Sequence, residues 1–265
     1  MPTRAIIEKL KNDLIVMGEM CENALSSAVM ALIDGDEEMA ASIIEYDREI
    51  DERELALNQD CLKLFGSGAL KKEDLRFAAS ALKISYDLER IGDQAVDVCG
   101  HVLFLVREQT LLSQVVDFAS LVEQVGQMMR ESVRALVEQD ANLAWKMIGE
   151  IPVVHEEGAR IFAELLAIMH ESSRTIERCC HILAVSRSLE RVAALTTNIA
   201  EEVIYLVEGK TVRHRLREHK SLTPSLLSLP METPEEAVRR ETDILQRHTR
   251  RLEKKGKGPA PVRRR

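Results

Sequence analysis

The sequence predicts an all-α protein of two tandem three-helix antiparallel bundles, an internal duplication, with a C-terminal basic tail. Three observations carry that prediction. Helix breakers are sparse, with 12 Gly and 7 Pro in 265 residues and only 3% aromatics, while Ala, Leu, Glu, Arg and Met, which lose little rotamer freedom in a helix, are abundant. Apolar residues recur at alternating spacings of three and four, the seam of helices packed lengthwise. Finally, Ser85 to Val98 (SYDLERIGDQAVDV) aligns without gaps on Ser186 to Ile199 (SRSLERVAALTTNI) at an offset of 101 residues. Both carry Leu-Glu-Arg at the same place, Leu88-Glu89-Arg90 and Leu189-Glu190-Arg191, and a repeat of that length is one three-helix unit.

The first helix is expected from about residue 4 to the break at Asp34, Gly35 and Asp36, with Leu10, Leu14, Met17, Cys21, Ala24 and Ala28 as its buried seam. Asp36 suits the N-cap of a second helix ending at Gly66, because its carboxylate can accept from the first free backbone N–H groups. Gly66, Ser67 and Gly68 make the turn, and Asp74 is the expected cap of a third helix from Leu75 to about Arg107. After a polar break around residues 108–113 the pattern repeats. A fourth helix is expected to about Gln139, a fifth to His170, and a sixth opening near Thr175.

The expected domains are therefore 1–108, 109–209 and a tail over 210–265. The tail holds 16 Lys/Arg against 7 Asp/Glu. It is low in complexity and expected to be largely disordered, with a short charged helix over 235–253. The net charge of −8 thus divides into +9 on the tail and −17 on the helical body. An acidic body disfavours nucleic-acid binding by the bundles and suits cations or basic partner surfaces. No signal-peptide core, uncharged membrane-length run, Gly-rich phosphate loop or nucleophile–base arrangement is visible. Five cysteines without CxxC spacing read as buried free thiols. The expectation is a cytoplasmic, non-enzymatic protein. Trp145 and the Met residues read as core filler.

The chemistry concentrates in ERIGDQAVD. Glu89, Asp93 and Asp97 stand four residues apart, and like charges at that spacing repel on a helix. On a helical wheel Ile84, Leu88, Ile91, Ala95, Val98 and Val102 form the core stripe, with the three acids on the opposite side. One helix earlier, Asp47 and Asp51 sit in the apolar arc of Ile43, Ile50, Leu57, Cys61 and Leu62, where a charge needs a partner. A hairpin turning near residue 68 brings both sets to a similar axial level. Salt bridges to Arg48, Arg53 and Arg90, bulk water and a hard or borderline cation are all consistent with that spacing.

The two LER copies with their acidic i+4 and i+8 positions, DREID one helix earlier, and NIAEEVIYLVEGK at the end of the second copy resemble the PhoU family of phosphate-transport regulators. The resemblance implies two similar three-helix bundles whose acidic motifs bind metal, iron first, with zinc, manganese, nickel or magnesium as alternatives. Carried over by position, the ligands are Asp47, Asp51, Glu89, Asp93 and Asp97. It further implies a regulator that acts on the ATPase subunit of a phosphate importer and on a sensor histidine kinase, as a homodimer. In the second copy the corresponding positions are Glu190, Ala194 and Asn198, with Ile151 and His155 opposite, so Glu190 and Asn198 are weak candidates and one cation site is expected. The competing readings are an iron-dependent oxidase or metal store using the same carboxylates, and a metal-free helical adaptor.

Overall fold

In the computed structural model the described residues are 3–68, 70–108 and 116–212. The basic tail from residue 213 on, with its expected charged helix, and most of the polar break after Glu108 lie outside them. Among the described residues there are seven α-helices and a short 3-10 turn: α1 (Thr3–Asp34), α2 (Glu37–Gly66), α3 (Lys72–Arg107), α4 (Ala119–Glu138), α5 (Ala141–Ile148), α6 (Ile151–Glu171) and α7 (Ile176–Glu208). Asp36 caps α2 as expected, its Oδ1 accepting from the Met39 N–H at 2.9 Å. Gly35 and Gly68 close the first two turns in the left-handed region, φ +67° and +68°, which glycine adopts without a Cβ penalty.

Two expected boundaries move. Helix α3 starts at Lys72, with Lys71 in the N-cap position, so Asp74 lies inside the first turn. There it complements the positive end of the helix dipole rather than capping it. The expected fifth helix divides into α5 and α6 around Gly149 and Glu150. Pro152 in the first turn of α6 has no N–H with which to continue α5. Trp145 also departs from expectation: it is 38% exposed, and its indole N–H donates to Glu208 Oε1 at 3.2 Å.

The core is built largely where the apolar spacing put it, except that Leu62, expected in the arc of α2, is 64% exposed. Ile84, Leu88, Ile91, Ala95, Val98 and Val102 on α3 are all buried, as is the α1 seam from Leu10 to Ala28. Helix α1 is long and apolar enough to cross a membrane by length and composition, yet 56% of the qualifying window is buried against the other helices. Cys21, Cys61, Cys99 and Cys179 are buried free thiols and Cys180 is exposed.

Helices α3 and α7, the two copies of the LER helix, pack against each other and join the bundles into one compact unit. Their seam is polar. Ser80 Oγ and Lys83 Nζ donate to the buried Glu202 at 2.9 and 3.0 Å, Asn198 Nδ2 donates to Asp87 at 3.3 Å, and His101 meets His181. Partners on α7 descend as positions on α3 ascend, so the two helices run antiparallel.

Gly100 lies exposed in the interior of α3, and a Cβ there would meet nothing within 4 Å. Gly100→Ala is therefore expected to stabilise the chain by about 1 kcal/mol through helix propensity alone. A urea titration with an unmoved or lowered midpoint would refute this.

Candidate functional site: an acidic face across two helices

Helices α2 and α3 form an antiparallel hairpin in which Ser85 Oγ reaches Asn58 Oδ1 at 3.3 Å and the two helices pack closely at Gly92. A Cβ at Gly92 would stand 3.0 Å from Asp47 Oδ1 and 3.2 Å from Ile50 Cδ1. The missing side chain lets α2 approach and brings Asp47 alongside the acidic face of α3. Asp47 and Glu89 are half-buried, while Asp51, Asp93 and Asp97 are exposed. Asp51 thus departs from its expected place in the apolar arc: one residue beyond the buried Ile50, it is turned by about 100° toward solvent.

The carboxylates act on one another. Burial, then the charges of Asp51 and Asp93, push the Asp47 carboxyl up to about 6. Burial, then Asp93, Glu54, Asp51 and Asp47, push Glu89 up to about 7. Asp93 is raised as well, by burial and then by Asp51 and Asp97, with Arg90 acting weakly the other way. All five predicted residues thus belong to one electrostatically coupled patch. Glu54 joins them, a member the sequence reading missed. It stands seven residues after Asp47 and three after Asp51, so helical spacing alone could have found it.

The three arginines beside this patch make their ion pairs with other carboxylates, and only Arg90 acts on it, weakly, at Asp93. Arg48 pairs with Glu52 at 3.8 Å, Arg53 with Asp13 at 3.5 Å, and Arg90 with Asp87 at 4.0 Å. None of the five predicted carboxylates accepts an ion pair or hydrogen bond from a described side chain. The described residues also contain no set of three His, Cys, Asp or Glu side chains placed as a ready-made metal cage. The patch is an open acidic face, and its oxygen-only donor set is of the kind that holds hard or borderline cations with water completing the shell.

The PhoU domain model matches twice, over residues 14–102 and 118–203. The chain belongs to the PhoU family. It is 35% identical over 210 residues to the phosphate-specific transport system accessory protein PhoU homolog of Pseudomonas aeruginosa, covering 79% of this chain and 87% of the relative. It is 32% identical over 212 residues to the phosphate-specific transport system accessory protein PhoU of Escherichia coli, covering 79% and 87%. The crystal structure of PhoU from Pseudomonas aeruginosa superposes with a TM-score of 0.75 at 34% identity, covering 78% of this chain and 99% of that one.

Within this PhoU fold the second bundle is chemically different at the equivalent place. Glu190, the counterpart of Glu89, accepts from Arg187 Nη1 at 3.1 and 3.2 Å and faces His155 Nδ1 at 3.5 Å. Asn198 is engaged by Asp87 across the seam. Ala194 is exposed and Ile151 is buried, 9% exposed. The substitutions convert an unneutralised acidic column into a paired one.

Proposed function

We propose that this chain is a non-catalytic regulator of phosphate uptake and of phosphate-responsive signalling. In this reading it is a cytoplasmic, homodimeric helical adaptor that docks on the ATPase subunit of a phosphate importer and on a sensor histidine kinase. Family membership supports the phosphate-transport role, since the relatives are named as accessory proteins of that system. The observation that carries the metal-dependent form is the α2–α3 face: five coupled carboxylates with the neighbouring arginines committed elsewhere.

Asp47, Asp51, Glu89, Asp93 and Asp97 would hold the cation, iron first among the candidates, with zinc, manganese, nickel or magnesium as alternatives. A bound divalent ion would supply positive charge to a face that has none of its own in contact and would tie α2 to α3. Glu190 and Asn198 do not fit a second site, because their polar atoms are already engaged. A two-helix, partly exposed face suits a structural cation better than the inward four-helix ligand set of a carboxylate oxidase.

The partner-facing surface is the remainder of the same hairpin. Leu55 and Leu62 on α2 are 58% and 64% exposed, and Leu75 and Tyr86 on α3 are 48% and 56% exposed. Spacings of seven and eleven residues place each pair along one stripe. Leu55, four residues after Asp51, and Tyr86, three before Glu89, adjoin the acidic patch, which suits a partner surface that combines apolar and basic side chains.

The test is a pull-down with importer ATPase, repeated with a Glu89→Ala/Asp93→Ala variant and with elemental analysis of both proteins. The expected result is retention of the ATPase by the wild type and metal lost in the variant. No retention of the ATPase or the kinase at any phosphate level would refute the adaptor role. Equal metal in both proteins would refute the site.

A further inference from the structure

One constellation lies outside the acidic face and is not used by the regulatory reading. At the end of the α3–α7 seam, His101 Nδ1 and His181 Nδ1 face each other at 2.9 Å. The rings cross at 75° with centroids 5.0 Å apart. His181 lies flat on Phe104, with centroids 3.6 Å apart and planes 6° from parallel, which holds the plane of its ring. Both histidines are half-buried. They come from different bundles, 80 residues apart in sequence.

Two like ring nitrogens this close share one proton: one ring donates N–H and the other accepts. A metal ion could replace that proton once both rings turn so that their Nδ1 lone pairs, aimed at each other in the hydrogen bond, meet at one point. Two nitrogens bound to one tetrahedral zinc at about 2.0–2.1 Å stand roughly 3.3 Å apart, so the nitrogens part by a few tenths of an ångström as the rings turn. Imidazole selects borderline d-block ions such as zinc, copper or nickel over hard cations. Charge and protons balance simply. The donor ring shifts its proton from Nδ1 to Nε2, both rings stay neutral, and both Nδ1 atoms become ligands with no net proton released.

We propose that His101 and His181 form a second, chemically distinct metal site, a two-imidazole clasp for a borderline divalent ion that ties the first bundle to the second. Among the described residues no third His, Cys, Asp or Glu completes a ready three-ligand set here, so water or an added ligand fills the remaining positions. Zinc binding at the clasp would cross-link α3 to α7, whereas a cation on the acidic face links α2 to α3 within one bundle.

The experiment is zinc titration of the full chain by calorimetry, for wild type, His101→Gln, His181→Gln and the acidic-face variant Asp93→Asn. The expected result is a zinc equivalent that weakens at least about 10-fold in either histidine variant and persists in Asp93→Asn. Magnesium is expected to leave this equivalent untouched. Nitrogen-15 NMR of the wild-type histidines supplies a readout that needs no variant: zinc should move the Nδ1 resonances of two of the seven imidazoles. Zinc affinity unchanged in both histidine variants, or no imidazole Nδ1 shift in the wild type, would overturn the clasp. Neither result would touch the carboxylate site, whose test uses Glu89 and Asp93.

Discussion

Glu89→Gln is expected to stabilise the chain at about pH 8 and to leave it nearly unchanged at about pH 4. Glu89 loses its proton near 4.5 when unfolded but only at about 7 when folded. Between those values the native state holds more protons than the unfolded state, so stability falls as pH rises through the window and stays low above it. Asp47 adds the same sign over a window from 3.8 to about 6. Partial exposure screens both groups, and after that discount the gain on neutralising Glu89 is about 1–2 kcal/mol. The wild-type melting temperature should decline from about pH 5 to about pH 7, and the variant should decline less. A saturating divalent cation should flatten the same slope in the wild type, because it supplies the counter-charge that the arginines withhold. A variant no more stable than wild type at about pH 8 would show that the carboxylates do not strain the native hairpin.

Much of this arrangement was legible in the sequence, and the reasons differ from residue to residue. The stripe from Ile84 to Val102 could be read because a core helix must repeat its apolar positions near every 3.6 residues, and each of those positions is buried. Asp36 could be read as a cap because a short acid after a glycine break has few other uses, and it accepts from Met39 as expected. Asp74 misled because an acid in the first turn and an acid at the cap satisfy the same dipole. The division of the fifth helix at Gly149 and Pro152 was available in the residue types but outweighed by the continuous apolar pattern around them. The acidic patch was legible in all but Glu54, since i+4 acids on two antiparallel helices lie at one level when the turn is short. Its state of neutralisation was not legible. Whether Arg48, Arg53 and Arg90 turn toward Asp47, Asp51 and Asp93 or toward Glu52, Asp13 and Asp87 depends on long, flexible side chains whose partners lie on either side. The His101–His181 meeting was out of reach for a further reason. It depends on how one bundle packs against the other, which no repeat within either bundle encodes.

Gly92→Leu is expected to lower both the stability of the chain and its affinity for a divalent cation. Gly92 is buried in the middle of α3, where an ordinary side chain would gain about 1 kcal/mol of helix propensity, so its backbone freedom is not what the position uses. What the position uses is the absent side chain: even a Cβ would crowd Asp47 Oδ1 at 3.0 Å and Ile50 at 3.2 and 3.4 Å. For Ala the propensity gain roughly offsets that crowding, because the Asp47 carboxylate can move. For Leu the remaining three carbons have nowhere to go. Ile50 has no exposure and cannot turn aside, so α2 must be pushed away from α3. Overpacking of this kind costs about 1–3 kcal/mol, to be read as a lower urea midpoint at unchanged slope. Displacing α2 also carries Asp47 and Asp51 away from Glu89 and Asp93, so manganese affinity measured on the folded variant should fall by at least about 10-fold, the scale on which displaced ligand support weakens a metal site. The two readouts separate two claims. A stability loss with unchanged cation affinity would mean that the cation is held by α3 alone, through Glu89, Asp93 and Asp97, and that the close approach at Gly92 serves packing only. A loss of both makes Gly92 the residue that assembles the face, by allowing the acids of one helix to reach those of the next.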